Sequence, residues 1–114
     1  MTYLSIIIPA HNEAKRLPAT LASIDEYMCT QQYSFEIIVV ENGSEDCTAA
    51  VVENYASSNE HVHLINVPER GKGIAVRTGM LAANGEYRFM CDADLSMPIS
   101  QISRFLPPEL SNYD

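Results

Sequence analysis

The sequence predicts an α/β fold: a Rossmann-like three-layer α/β/α arrangement around a mainly parallel sheet. Short apolar runs rich in β-branched residues alternate with segments of helical periodicity, which is the first observation behind this prediction. The second is that three of the apolar runs stop at Pro9, at Asn42-Gly43 or at Pro68. Alternation of this kind builds βαβ units, whose strands are parallel and whose crossovers are right-handed. The 114 residues suffice for one compact domain.

Four strands and four helices are predicted in strict alternation. The strands are expected at Tyr3–Ile8, Glu36–Val40, Val62–Val67 and Tyr87–Cys91. The helices are expected at Ala14–Cys29, from Ser44 or Asp46 to about Ser57, at Gly71–Asn84 and at Pro98–Leu106. Pro18 is compatible with the first helix only in its first turn. The inner positions expected for the second helix are Ala50, Val51 and Tyr55.

The charge and the cysteines restrict the class of function. The formal net charge of −8 argues against a broad basic face, so nucleic acid is not an expected partner. An anionic ligand would need a metal ion or helix N-termini to offset the repulsion. The three cysteines form no CxxC pair or disulfide framework, which favours a reducing cytoplasm. No membrane-spanning run or signal peptide is recognisable, so a cytoplasmic location is expected.

Polar loops follow all four predicted strands. They are Pro9–Glu13, Glu41–Asp46, Glu69–Gly73 and Asp92–Asp94. In open α/β sheets ligands bind outside the carboxyl ends of the strands, at the switch point. A strand order of 3-2-1-4 would therefore bring these loops to one site. The simpler alternative is that loops at strand ends are polar in any protein.

Asp92-Ala93-Asp94 is a candidate metal site. Two residues apart on an extended segment, both carboxylates point to the same side. Mg²⁺ and Mn²⁺ prefer such oxygen ligands and keep positions open for phosphate oxygens. The alternative is a solvated turn in which one aspartate caps a helix.

Arg70-Gly71-Lys72-Gly73 opens the third predicted helix, where glycines permit close backbone approach and free N–H groups attract anions. It is neither a Walker loop nor a G-x-G-x-x-G motif, and a flexible basic loop is the alternative. His61 and His63 are expected at the surface. His11 lies in the candidate site without a cysteine or serine nucleophile.

These loops together resemble a known family. Ser5–Glu13, Ile38–Ser44, Arg70–Gly79 and Met90–Leu95 are similar to the corresponding motifs of family 2 glycosyltransferases with the GT-A fold, especially the dolichyl-phosphate glucose and mannose synthase group. The resemblance covers essentially the whole chain. It implies that residues 1–114 are the N-terminal, nucleotide-sugar-binding part of such a domain, truncated before the acceptor-binding part.

The resemblance also implies roles for individual residues. The residues that would bind the nucleotide sugar are Pro9, Ala10, Asn12, Glu13, Glu41, Asn42, Lys72, Gly73, Arg77, Asp92, Ala93 and Asp94. Asp94, with Asp92, would hold Mg²⁺ or Mn²⁺. Glu41 and Asn42 stand where the family usually has two aspartates, so the choice between uridine and guanosine nucleotides stays open. The family's catalytic base belongs to the later part, and no residue here matches it.

The resemblance implies an enzyme that transfers a sugar from a UDP-glucose or GDP-mannose type donor to an acceptor such as a polyprenyl phosphate. Peripheral contact of the full protein with the cytoplasmic face of a membrane is compatible with that acceptor. The alternative is a nucleotide-binding fragment without transfer activity. A CheY-like phosphoacceptor domain fits poorly, because its acidic pair and lone aspartate are not in place. Apolar surface expected on the fourth strand and its helix makes self-association a further prediction.

Overall fold

The computed structural model describes residues 2–69 and 71–93. Its elements are β1 (Leu4–Ala10), α1 (Leu17–Met28), β2 (Phe35–Asn42), α2 (Thr48–Ala56), β3 (Val62–Val67), α3 (Lys72–Ala82) and β4 (Tyr87–Met90). The strands form one parallel sheet in the order β3-β2-β1-β4. The predicted alternation and the predicted strand order are confirmed. The helix predicted at Pro98–Leu106 lies outside the described residues.

Both faces of the sheet are buried. Successive side chains of a strand point to opposite faces, so β1 contributes to an apolar cluster on each face. On one face, Ile6 and Ile8 of β1 join Leu21 of α1 and Val52 of α2 in a single apolar cluster. On the other face, Ile7 belongs to a second cluster that includes Ala75 of α3. The strands therefore read as continuous apolar runs, and the three-layer arrangement predicted from them is confirmed.

α3 lies unusually close to the sheet at Gly79. A Cβ atom built on this glycine would lie 2.5 Å from Cγ2 of Ile7 and 3.1 Å from Cγ2 of Val40. Both neighbours are buried, β-branched side chains with little freedom to rotate away. The absence of a side chain at position 79 thus sets the distance between this helix and β1.

Two predictions about the helices on the other face are wrong in detail. α1 begins at Leu17 rather than Ala14, because residues 14–16 form a turn in which the N–H of Arg16 donates to the carbonyl of Glu13. Pro18 does lie in the first turn, as predicted. In α2, Ala50 is exposed rather than inward-facing, and the buried residues are Thr48 and Val52.

The remaining differences concern element ends. β2 continues to Asn42, two residues beyond the prediction, and α3 is shorter than predicted. β4 ends at Met90, although the N–H of Cys91 still donates to the carbonyl of Ile7 at 2.9 Å. Within the part of the chain that the structure describes, no helix combines the length and apolarity needed to cross a bilayer.

Candidate functional site

A cavity of about 450 Å³ lies at the carboxyl ends of the strands. Its described lining comes from the carboxyl ends of β1 and β2, from the segments after β1, β3 and β4 and from the start of α3. It consists of Pro9, His11, Glu13, Asn42, Gly71, Lys72, Asp92 and Ala93. This is the edge at which an open parallel sheet places its ligands. The convergence of the four polar loops, predicted from their positions in the sequence, is thus confirmed.

Lys72 and Asp92 form an ion pair across this cavity. Nζ of Lys72 donates to Oδ1 of Asp92 at 2.6 Å, and the two side chains are 59% and 41% exposed. One partner begins α3 and the other follows β4, so the pair joins the two outer loops of the site. Because both groups face water, the pair contributes little to stability. Its importance is that it places one cation and one carboxylate at the cavity wall.

His11 and Gly71 line the cavity as well, although neither is among the residues predicted to bind the nucleotide sugar. Nδ1–H of His11 donates to the carbonyl of Asn42 at 2.7 Å, which leaves Nε2 of the neutral ring as an acceptor. Gly71 has a φ of 136°, a conformation that favours glycine. The sequence position of each residue could have indicated that it lines the site, since His11 directly follows β1 and Gly71 directly precedes α3.

The family model of Glycosyl transferase family 2 matches residues 5–110 of the chain. This chain belongs to glycosyl transferase family 2. It is 43% identical over 104 residues to a dolichyl-phosphate beta-glucosyltransferase of Trichomonas vaginalis, covering 86% of this chain and 32% of that protein. It is 37% identical over 99 residues to the dolichyl-phosphate beta-glucosyltransferase of Homo sapiens, covering 80% of this chain and 31% of that protein.

The fold is similar to those of solved glycosyltransferases. For a mannosyltransferase of Pyrobaculum calidifontis in complex with GDP-Man and Mn²⁺, the TM-score is 0.70 at 32% identity, with 80% of this chain and 27% of that chain covered. For glucosyl-3-phosphoglycerate synthase of Mycobacterium tuberculosis, the TM-score is 0.72 at 24% identity, with 96% and 39% covered. The GT-A fold is therefore confirmed, and the chain spans about a third of the length of the curated relatives it matches.

The structure brings together half of the residues that the family resemblance nominated. Those lining the cavity are Pro9, Glu13, Asn42, Lys72, Asp92 and Ala93. Those outside its described lining are Ala10, Asn12, Glu41, Gly73 and Arg77. Asp94 lies outside the described residues. The nucleotide-sugar roles of all these residues, and the metal role of Asp94, stay predictions for this family 2 chain.

The side chain of Glu41 points towards the turn that follows β2. This side chain is buried, and Oε2 accepts from the N–H of Ser44 at 2.5 Å. A glutamate is one methylene longer than the aspartate usual at this position in family 2, and here its carboxylate folds back onto the turn after β2. In this arrangement Glu41 shapes the loop that follows Asn42.

The donor atoms at the cavity fit a hard divalent cation that is held only in part by protein. Asp92 and Glu13 supply carboxylates to the lining, and such oxygens are the ligands that Mg²⁺ and Mn²⁺ prefer. Among residues 2–69 and 71–93, no three His, Cys, Asp or Glu side chains are grouped closely enough to hold a metal ion. A cation at Asp92 would therefore need further ligands from Asp94, water or substrate phosphates.

Proposed function

We propose that the whole protein transfers a sugar from a nucleoside-diphosphate sugar to a polyprenyl phosphate, and that this chain binds the donor. The observation that carries the proposal is the cavity in which Lys72 and Asp92 face each other beside the end of β1. A diphosphate needs positive charge, which is scarce in a chain of net charge −8. Lys72 supplies it at the cavity wall, at the first residue of α3.

A divalent cation bound by Asp92 and Asp94 would neutralise the negative charge that grows on the departing diphosphate. Lys72 would donate to the same phosphates once its present partner, Asp92, is engaged elsewhere. The N–H groups at the start of α3 add to this anion-binding end. The cavity wall formed by Pro9, His11 and Asn42 would orient the nucleoside.

In the proposed reaction, an oxygen of the acceptor phosphate attacks the anomeric carbon of the donor sugar. The bond from that carbon to the diphosphate oxygen breaks, and its electron pair leaves with the nucleoside diphosphate. In this proposal the residues of the cavity wall act on the leaving-group side of the displacement. The names of the relatives support glucose as the sugar and dolichyl phosphate as the acceptor.

The test is a calorimetric titration of the chain with UDP and with GDP, each with Mn²⁺ and with EDTA. We expect one nucleotide to bind better, and Mn²⁺ to strengthen its binding. Asp92→Asn and Asp94→Asn should each reduce the metal-dependent gain by about tenfold or more, since even outer-shell groups of metal sites are worth about 10–100-fold in affinity. Glu53→Gln, on the exposed side of α2, is the matched control and should bind as the parent does.

Absence of binding for both nucleotides would refute the donor-binding proposal. Equal affinity in Mn²⁺ and EDTA would refute the metal site while leaving the nucleotide site standing. A transfer assay with a polyprenyl phosphate then separates the enzyme from a module that binds nucleotide without transfer. Nucleotide binding without any sugar transfer by the full protein would favour the binding module.

A further inference from the structure

Asn12 lies between His11 and Glu13 in the sequence, and it does not line the cavity that those two residues line. His11 and Glu13 line the cavity described above, whereas Asn12 lines a separate depression of about 490 Å³. The other described residues of this depression are Glu13, Lys15, Arg16 and Asp46. The side chain of Asn12 is therefore turned towards the loop between β2 and α2.

The carboxamide oxygen of Asn12 is occupied by the backbone of that loop. It accepts from the N–H of Glu45 at 2.8 Å and, more weakly, from the N–H of Asp46 at 3.4 Å. The backbone N–H of Asn12 donates in turn to Oγ of Ser44 at 2.9 Å. Donor and acceptor of the same residue thus bind one segment, and the loop after β1 is tied to the loop after β2.

The backbone of Asn12 has a φ of 54°, and it is the one non-glycine residue with positive φ in the described ranges. Asparagine tolerates this left-handed conformation better than most residues. The amide end of the side chain reaches the other way, because Nδ2 lies 3.3 Å from Nε2 of His11. The imidazole is therefore held from both sides, by the carbonyl of Asn42 and by the amide of Asn12.

We infer that Asn12 is a positioning residue of the donor site: it fixes His11 and Glu13 in the cavity wall by tying their loop to residues 44–46. The inference rests on the proposed function, since it names what arranges the proposed donor pocket. It differs from a direct contact between Asn12 and the nucleoside, which the resemblance implies. In the structure, the oxygen that would make such a contact already accepts backbone hydrogens.

Substitutions at position 12 separate the two roles. Asn12→Asp keeps an acceptor oxygen for the loop but removes the amide donor. Asn12→Gly keeps the left-handed backbone without strain but removes all side-chain bonds. Asn12→Ala removes the bonds and adds backbone strain. Ser44→Ala removes the anchor of the Asn12 N–H, and Ser44 lies outside the described lining of both cavities.

The experiment titrates the 114-residue chain and these four variants with the nucleotide that the parent binds better, at high salt to screen the added carboxylate. Hydrogen exchange of the Glu45 and Asp46 amides is measured alongside. We expect Asn12→Gly and Ser44→Ala to weaken binding by about three- to tenfold, the range that one lost hydrogen bond produces, and Asn12→Ala to weaken it more. Asn12→Asp should stay within about threefold of the parent and keep both amides protected.

The inference is overturned if Asn12→Asp binds as weakly as Asn12→Gly while its Glu45 and Asp46 amides stay protected, because the tie to residues 44–46 would then be intact without preserving the pocket. It is also overturned if Ser44→Ala binds as the parent does although its loop amides exchange faster. A parent chain that binds neither UDP nor GDP is a different outcome. It refutes the proposed function, and the positioning role falls with it.

Discussion

Asp46 connects the start of α2 to the loop after β1. Its Oδ1 accepts from the backbone N–H of Thr48 at 2.9 Å and also from the Thr48 hydroxyl, and Oδ2 accepts from the N–H of Ala14 at 3.4 Å. The Thr48 hydroxyl is the main reason why the pKa of Asp46 is lowered, with the backbone donors adding to it and loss of water opposing it. The charged carboxylate is therefore the form that the native loop prefers.

This preference has a defined sign. Because the folded pKa of Asp46 lies below its unfolded value of about 3.9, the stability it contributes is present above that pH and is lost as the pH falls through the folded pKa. Asp46→Asn should unfold at a lower temperature than the parent at pH 7, and the difference should shrink towards pH 2. Thermal unfolding followed by circular dichroism across this range measures it. Glu53→Gln is the control, and a difference that stays constant with pH would contradict the mechanism.

Single residues also mark the limit of what the sequence could predict about the site. Pro9, Lys72 and Asp92 were predictable because each lies near the carboxyl end of a strand or at the start of a helix, and topology alone brings such positions together. The direction of the Asn12 and Glu41 side chains was not predictable. It depends on which backbone N–H groups the turn after β2 presents, and that geometry exists only once the two loops are packed.

α3 offers a test of packing at the level of an element, since two of its glycines have opposite surroundings. A Cβ at Gly79 would meet Ile7 and Val40, whereas a Cβ at Gly73 would meet no atom within 4 Å. The same substitution should therefore have opposite effects at two positions of one helix. At Gly79 the overlap with the sheet dominates, and at Gly73 the gain in helix propensity does.

We expect Gly79→Ala to lower the free energy of unfolding by about 1–3 kcal/mol, the usual cost of overpacking a core. Gly73→Ala should raise it by up to about 1 kcal/mol, because alanine is the better helix former. Urea denaturation of both variants, with the parent as reference, gives the two values. Equal effects of the two substitutions would show that the close contact with Ile7 does not limit the position of α3.

The elements themselves were largely predictable from the sequence, and their ends less so. Both ends of β3 were predicted correctly. The apolar run that follows His61 has no helical periodicity, and Pro68 ends it. The start of α1 was not, since Ala14, Lys15 and Arg16 are all good helix formers. They form a turn instead because the N–H groups of Ala14 and Arg16 are bound by Asp46 and Glu13. Such competition from a distant loop leaves no mark in local propensity.

Across the described residues of the molecule, the exposed large apolar side chains lie on α3 and β4. Within the described residues β4 pairs only with β1, and α3, which packs against β1 and β2, carries two exposed apolar side chains, Ile74 at 43% and Leu81 at 77%. They are seven residues apart and so share one side of the helix. Exposed apolar side chains of this kind favour self-association, and an edge strand adds to that tendency.

We therefore predict that the 114-residue chain forms dimers or larger species whose share rises with protein concentration in light scattering. Leu81→Lys should shift the distribution towards the monomer, because it places a charge on the most exposed apolar side chain of the surface. The control is Gln32→Lys, an exposed position outside the helices and strands. Both variants carry a net charge of −7, one unit from the parent's −8, so general charge repulsion changes equally. A parent that stays monomeric at every concentration would contradict the prediction. If both lysine variants raised the share of monomer equally, net charge and not the α3 surface would control the self-association.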